Sequence, residues 1–262
     1  MLLKIYKYHG AGNDFIIIVN RNQVFTTSQE TIRWLCERHF GIGADGLMTL
    51  ESDKENDFKM HYFNADGNEG TMCGNGGRCI VHFAKKEGII QGDSTVFSAI
   101  DGIHEAKFIS NNIIKLKMND VPIESIKNMP EGLFLDTGSP HLVRFEKEIG
   151  SIDVYSTGKK LRYSPALAKQ GGANINFVEI NKENLKMRTY ERGVEAETLA
   201  CGTGAVASAI AFSVKNNISQ SPIKIKALGG DLKVHFQRTE KSFNNIWLEG
   251  PVQFVFSTKT NI

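Results

Sequence analysis

The chain has 262 residues, enough for one large domain or two of ordinary size, and its 41% apolar and 23% charged side chains are those of an ordinary globular protein. Its formal charge is only +2, from 31 basic and 29 acidic residues without a dense basic block, which argues against a nucleic-acid surface; Lys85-Lys86 and Lys159-Lys160 read as solvated faces. No apolar run reaches the length of about 18 residues that marks a membrane helix, the first residues alternate like a strand and lack a signal-peptide core, and a cytoplasmic setting is expected, where the four cysteines stay reduced.

Residues 2–8 read as a strand, followed by a Gly-rich loop from His9 to Asp14 and the apolar run Phe15 to Val19. A helix is expected from Thr31 to His39, with Ser28 as its cap and Gly41 as its stop. Gly41-Ile42-Gly43-Ala44-Asp45-Gly46 has the spacing of a dinucleotide fingerprint. It follows a helix and precedes a strand, Leu47 to Leu50, the reverse of what that fingerprint needs, so it reads as a tight turn lining a site. Phe58 to Phe63 alternates as a half-buried strand, and Asn64-Ala65-Asp66-Gly67-Asn68 is a turn delivering Asn64 toward the next loop. Thr95 to Ile100 and His104 to Ile109 form a hairpin around Asp101-Gly102, and Ile113 to Met118 is a strand. Val121-Pro122 begins a crossover, and Leu133 to Asp136 is a strand running into Thr137-Gly138-Ser139-Pro140-His141. Tyr163 to Gly171 is loop or short helix; Ile175 to Ile180 and Lys186 to Tyr190 are strands. Ile223 to Leu228 pairs with Leu232 to Gln237, and Trp247 to Phe256 is strand-rich, with the first domain as its destination.

Between these elements one unit occurs twice. Met72-Cys73-Gly74-Asn75-Gly76-Gly77-Arg78 leads into an apolar helix read from Cys79 to Gly88, and Ala200-Cys201-Gly202-Thr203-Gly204 leads into one read from Ala205 to Asn217. Tyr62 and Tyr190 each stand eleven residues before their cysteine, Glu69 and Glu197 each four before, and Gly102 and Gly230 each 29 after. Gly12 is 61 before Cys73 and Gly138 is 63 before Cys201. A period of 128 residues is too long for a solenoid and implies two domains of one fold.

A helix start offers N–H donors and a positive dipole end. A cysteine there has its thiolate favoured, and glycines without a packing purpose would bare the backbone to an anion. Each copy is therefore a reactive thiol beside an anion cradle, and two copies could hold one carboxylate with a sulfur on each side of its α-carbon. The alternatives are thinner. Two buried structural cysteines would leave the paired Gly-x-Gly unexplained; zinc on Cys73, Cys79 and His82 lacks a C-x-x-C pair; a hydrolase using one thiol with His141 as base leaves the second thiol idle. Cys36 and Cys79 read as core. Glu191-Arg192 is either a surface ion pair or a site pair, Arg192 gripping a carboxylate through two hydrogen bonds and Glu191 assisting a thiol or holding an ammonium. His141 is either a satisfied loop histidine or, from its place in the repeat, a site residue.

In order along the chain, His-Gly-Ala-Gly-Asn13-Asp-Phe, Gly-Ile-Gly-Ala-Asp45-Gly, Asn64-Ala-Asp-Gly-Asn, Met-Cys73-Gly-Asn-Gly-Gly-Arg-Cys, Gly-Ser-Pro-His141, Tyr-Glu191-Arg192-Gly and Glu197-Thr-Leu-Ala-Cys201-Gly-Thr-Gly resemble the motifs of the diaminopimelate epimerase family. The resemblance implies an α/β fold of the α+β type, with two pseudo-symmetric domains. Each would be an antiparallel-rich sheet or barrel wrapped around a central helix, with the active site in the cleft between them. The halves expected are 1–120 with the strand 251–262, carrying Cys73, and 121–250, carrying Cys201. The implied activity interconverts LL- and meso-2,6-diaminopimelate, a small-molecule substrate, without pyridoxal phosphate, other cofactor or metal, and a homodimer is compatible with it. Cys73 and Cys201 would be the two bases, tuned by His141 and Glu191, with Cys201 accepting and Cys73 donating in the LL-to-meso direction. Gly74, Asn75, Gly202 and Thr203 would hold the reacting carboxylate. Asn13, Asn64, Asn174, Glu191 and Arg192 would hold the rest. Gly46 and Ser139 stand where some members carry Gln and Asn, so a contact at Gly46 is expected to be absent or made by backbone or water.

Overall fold

The computed structural model describes residues 2–26, 28–182 and 184–261. The chain divides into two units, Met1–Leu116 with Gly250–Ile262, and Lys117–Glu249.

In the first unit Leu2–Gly10 and Asn13–Val19 form a hairpin. The Gly-rich loop expected there is a two-residue turn, Ala11-Gly12, with both φ values positive at 52° and 86°, which matches the twist of the flanking strands. Asn13–Val19 pairs in parallel with Gly46–Glu51, which pairs antiparallel with Phe58–Asn64. Phe58–Asn64 runs parallel to Ser94–Ala99, and the hairpin to Gly102–Ser110 and on to Ile113–Lys117 follows. Leu2–Gly10 also pairs antiparallel with Gln253–Asn261, so the strand-rich end does return to this unit.

These strands are apolar on both faces, and alternation sorts the faces between two helices. Leu3, Ile5, Ile16, Ile18, Leu47 and Phe63 pack with Ile32 and Leu35 of α1, Gln29–Cys36. On the neighbouring positions Tyr6 meets Phe83 of α2, Gly74–Lys86, at 4.5 Å between ring centroids. Helix α1 has its expected cap, the Ser28 hydroxyl accepting from the Thr31 N–H, but it ends at Cys36, three residues short of His39.

The second unit repeats this order strand for strand. Gly132–Asp136 and Pro140–Glu146 form the hairpin. Pro140–Glu146 runs parallel to Asn174–Asn181, which pairs antiparallel with Asn184–Glu191. That strand runs parallel to Ile223–Ala227, followed by Gly230–Arg238 and Ser242–Pro251. Phe134, Leu142, Ile175 and Phe177 pack with Val154 and Leu161 of α3, Val154–Arg162, and with Leu167 of the short α4, Pro165–Ala168. Helix α5, Gly202–Asn216, is buried on nearly all sides, as its run of Ala, Val, Ile and Phe requires.

Both central helices begin earlier than the sequence suggests: α2 at Gly74 rather than Cys79, α5 at Gly202 rather than Ala205. Glycine is a poor helix former; here packing overrides propensity. A Cβ on Gly76 would lie 3.0 Å from the Met48 sulfur, one on Gly77 2.9 Å from that of Met72, and one on Gly204 2.5 Å from the Asn176 side-chain oxygen. At Gly76 and Gly77 the nearest neighbours are flexible methionine ends, but Gly204 meets a fixed amide and so does have a packing purpose, close approach of the helix to its sheet, contrary to the expectation that these glycines serve only to bare the backbone.

Candidate active site

Cys73 is the N-cap of α2 and Cys201 the N-cap of α5, both in extended backbone. The first helical bonds run from Gly77 N–H to the Cys73 carbonyl at 2.7 Å and from Ala205 N–H to the Cys201 carbonyl at 2.9 Å. The amides of residues 74–76 and 202–204 thus lie ahead of the first helical bond, at the positive end of each dipole.

In the first unit Cys73 Sγ lies 3.6 Å from Asn13 Oδ1, and Asn75 Nδ2 donates to the same oxygen at 3.2 Å. Asp45 accepts from Asn13 Nδ2 at 2.7 Å, which fixes the Asn13 amide with its oxygen toward the cysteine. Arg78 is fully buried and donates to Asn75 Oδ1 at 2.8 Å and to the Gly74 carbonyl at 3.1 Å. Asn13, Gly74 and Asn75 are therefore brought to Cys73. Asn64 is exposed at the end of its strand, across from Gly46. A Cβ on Gly46 would lie 2.6 Å from the Tyr62 ring and 2.9 Å from its hydroxyl. The place of a side chain at 46 is taken by that phenol and by the Phe63 carbonyl, 2.7 Å away.

In the second unit Cys201 Sγ is 3.5 Å from the Thr203 hydroxyl, which is 3.2 Å from that of Ser139. Ser139 Oγ lies 3.0 Å from His141 Nε2 and accepts from Asn174 Nδ2 at 3.2 Å. Asn174 Oδ1 accepts the Arg192 N–H at 2.9 Å, so Arg192 enters this cluster through its backbone while its side chain is exposed. Glu191 accepts from the Thr198 hydroxyl at 2.7 Å. His141 is wholly buried, and burial, aided by the charge of Arg192, pushes it down to about 3. It is a neutral ring that reaches Cys201 through two hydroxyls, and it is no base in contact with the thiol.

Cys36 and Cys79 are core residues, 3% and 0% exposed; burial pushes the Cys36 thiol up to about 12 and raises that of Cys79 as well. Among the described residues no three His, Cys, Asp or Glu side chains group as metal ligands would. The sequence reading missed Asn176, Thr189, Thr137 and Thr198. Strand alternation carried the signal for the first: Asn174 and Asn176 share one face, while Ile175 and Phe177 take the other and enter the core.

A fold of two similarly ordered units is shared with a known class of solved structures. The PhzF-family phenazine biosynthesis protein of Bacillus anthracis matches all of this chain and all of its own with a TM-score of 0.79 at 15% identity. A probable proline racemase from Agrobacterium radiobacter matches 99% of this chain and 93% of its own with a TM-score of 0.71 at 13% identity. Within that class the chain belongs to the diaminopimelate epimerase family, whose sequence model matches residues 5–121 and 133–255. A diaminopimelate epimerase of Flavobacterium psychrophilum is 51% identical over 98% of this chain and 99% of its own.

Proposed function

We propose that the protein is an epimerase of 2,6-diaminopimelate, interconverting the LL and meso forms by a two-base mechanism. One observation carries this reading: the same thiol-capped, glycine-tightened helix start is built twice, once in each of two units of like topology. A one-base enzyme has no use for the second copy.

An α-proton beside a carboxylate is weakly acidic, so its removal needs a dry site and N–H dipoles on the developing charge. The helix starts at Gly74-Asn75 and Gly202-Thr203 supply such donors to the reacting carboxylate. In the LL-to-meso direction the Cys201 thiolate takes the α-proton and becomes a thiol, and the Cys73 thiol delivers its proton to the opposite face and becomes the thiolate. Asn13, Asn64, Asn174 and Glu191 hold the rest of the substrate, and Arg192 pairs with the distal carboxylate. A substrate lacking that carboxylate leaves a cation unpaired, which is the source of discrimination. His141 and Glu191 tune the thiols without taking the α-proton. The residues 1–120 with 251–262 form the half carrying Cys73, and 121–250 the half carrying Cys201. The protein works in the cytoplasm, where its thiols stay reduced; a homodimer is the assembly that sedimentation would test.

The test is turnover in deuterated water across a panel of amino acids. Only diaminopimelate should epimerise at speed, and early deuterium should appear at the inverted centre of product with little in recovered substrate. Equal early labelling of both would mean a single exchanging base. Mild oxidation should also join Cys73 to Cys201 and inactivate the protein reversibly; failure of that crosslink to form would speak against a shared site.

A further inference from the structure

The hydrogen bonds around Cys201 have a direction, and backbone groups set it. Asn176 faces the Leu142 carbonyl at 3.3 Å, so the atom there is its nitrogen, and the same Nδ2 meets His141 Nδ1 at 3.0 Å. Its oxygen accepts from Thr189 at 2.9 Å. A ring nitrogen that accepts carries no hydrogen, so the neutral imidazole has its hydrogen on Nε2 and donates it to Ser139 Oγ. Asn174 is oriented in the same way: its oxygen takes the Arg192 N–H, and its nitrogen faces the Pro140 carbonyl at 3.1 Å and Ser139 Oγ. Ser139 Oγ then accepts twice, from His141 and from Asn174, and its one hydrogen is left for the Thr203 hydroxyl. Thr203, having accepted there, directs its own hydrogen to Cys201 Sγ.

We propose that Asn176, His141, Ser139 and Thr203 form a one-way relay that presents a hydroxyl hydrogen to the Cys201 sulfur and holds that cysteine as thiolate in the resting protein. Hydrogen bonding to the charged form favours it. The relay deepens the two-base reading by assigning the acceptor before substrate arrives. All four are positioning residues. Cys73 has the opposite neighbour, the Asn13 side-chain oxygen, with the Arg78 cation behind Asn75; its ionisation is independent of the relay and serves as a control.

The charged groups on the elements packed around Cys201 do not belong to the relay. Lys215 is in the last turn of α5, at the opposite end from Cys201. Arg144 pairs with Glu146 and Lys186 with Glu179. Glu191 is held by Thr198; Arg192 hydrogen-bonds the relay only through its backbone N–H, and its charge adds to the burial that keeps the His141 ring neutral.

The test reads the thiolate by its ultraviolet absorbance against pH in a Cys73→Ser background, where Cys36 and Cys79 titrate far higher. Thr203→Val and Ser139→Ala should each lower the Cys201 ionisation constant about tenfold, moving its midpoint up by about one pH unit. Thr203→Ser should restore it. In a Cys201→Ser background the same substitutions should leave the Cys73 midpoint in place. A Cys201 midpoint unmoved by either substitution, or an equal shift at Cys73, overturns the relay. The readout needs no substrate, so its failure is separate from any failure of the epimerase assay.

Discussion

Gly76 and Gly204 hold the same place in the two cysteine motifs, yet replacing each by alanine should have unequal consequences. At Gly204 the new methyl would lie 2.5 Å from Asn176 Oδ1 and 3.2 Å from the Cys201 Cβ. The Asn176 amide is tied to Thr189, to the Leu142 carbonyl and to His141, so it yields only by breaking those bonds. Overpacking costs about 1–3 kcal/mol and each lost buried bond about 1 kcal/mol, while alanine returns about 1 kcal/mol in helix propensity. The net expectation for Gly204→Ala is a loss of about 2 kcal/mol. At Gly76 the nearest atoms are the Met48 sulfur at 3.0 Å and the Phe15 ring at 3.5 Å. A methionine end moves cheaply, so Gly76→Ala should fall within about 1 kcal/mol of wild type. Urea midpoints at unchanged slope measure both. Equal stability of the two variants, or a Gly204→Ala protein as stable as wild type, would refute the idea that the fixed amide makes the difference.

Cys73→Ala should abolish epimerisation while leaving binding of a substrate analogue largely intact, as calorimetry would show; surviving turnover would end the two-base reading. His141 should keep a neutral ring, with its hydrogen on Nε2, as the pH falls from about 8 to about 5, which imidazole nitrogen shifts would report. Because its folded value lies below the ordinary 6.5, its contribution to stability is full above that pH and is lost as pH drops from about 6.5 toward about 3; acid unfolding curves should slope in that sense. Asp14 is partly buried, yet hydrogen bonds from Arg38 and Lys7 hold its carboxyl well below the usual range. Asp14→Asn would leave the largely buried Lys7 without that partner, and a loss of about 2–3 kcal/mol is expected in denaturant titration. A small thiol reagent should label Cys36 and Cys79 in the native protein far more slowly than Cys73, as peptide mass mapping would show.

The two-unit plan was legible because the cysteine motifs, tyrosines and turns recur at one spacing, and the fold repeats it element by element. What escaped was whatever depends on a distant neighbour. Helix α3 is written Val-Tyr-Ser-Thr-Gly, a poor helical sequence, and Gly158 is there because any Cβ would overlap the Tyr190 side chain. Strand Pro140–Glu146 begins with a proline, a residue that signals a loop end, but Pro140 is only its first position. In the site, Cys73, Cys201 and their flanking residues could be read directly. Alternation could place Asn176 on the face of Asn174, but its role rested on the Leu142 carbonyl, which shows which way its amide points.

The last strand, Gln253–Asn261, lies along the first, Leu2–Gly10. During synthesis the edge of the opening hairpin therefore waits for residues 253–261, which emerge only after all of Lys117–Glu249. The half whose strands come first is completed by strands that come last, and a nascent chain stalled before residue 253 would expose an unpaired strand edge to its neighbours.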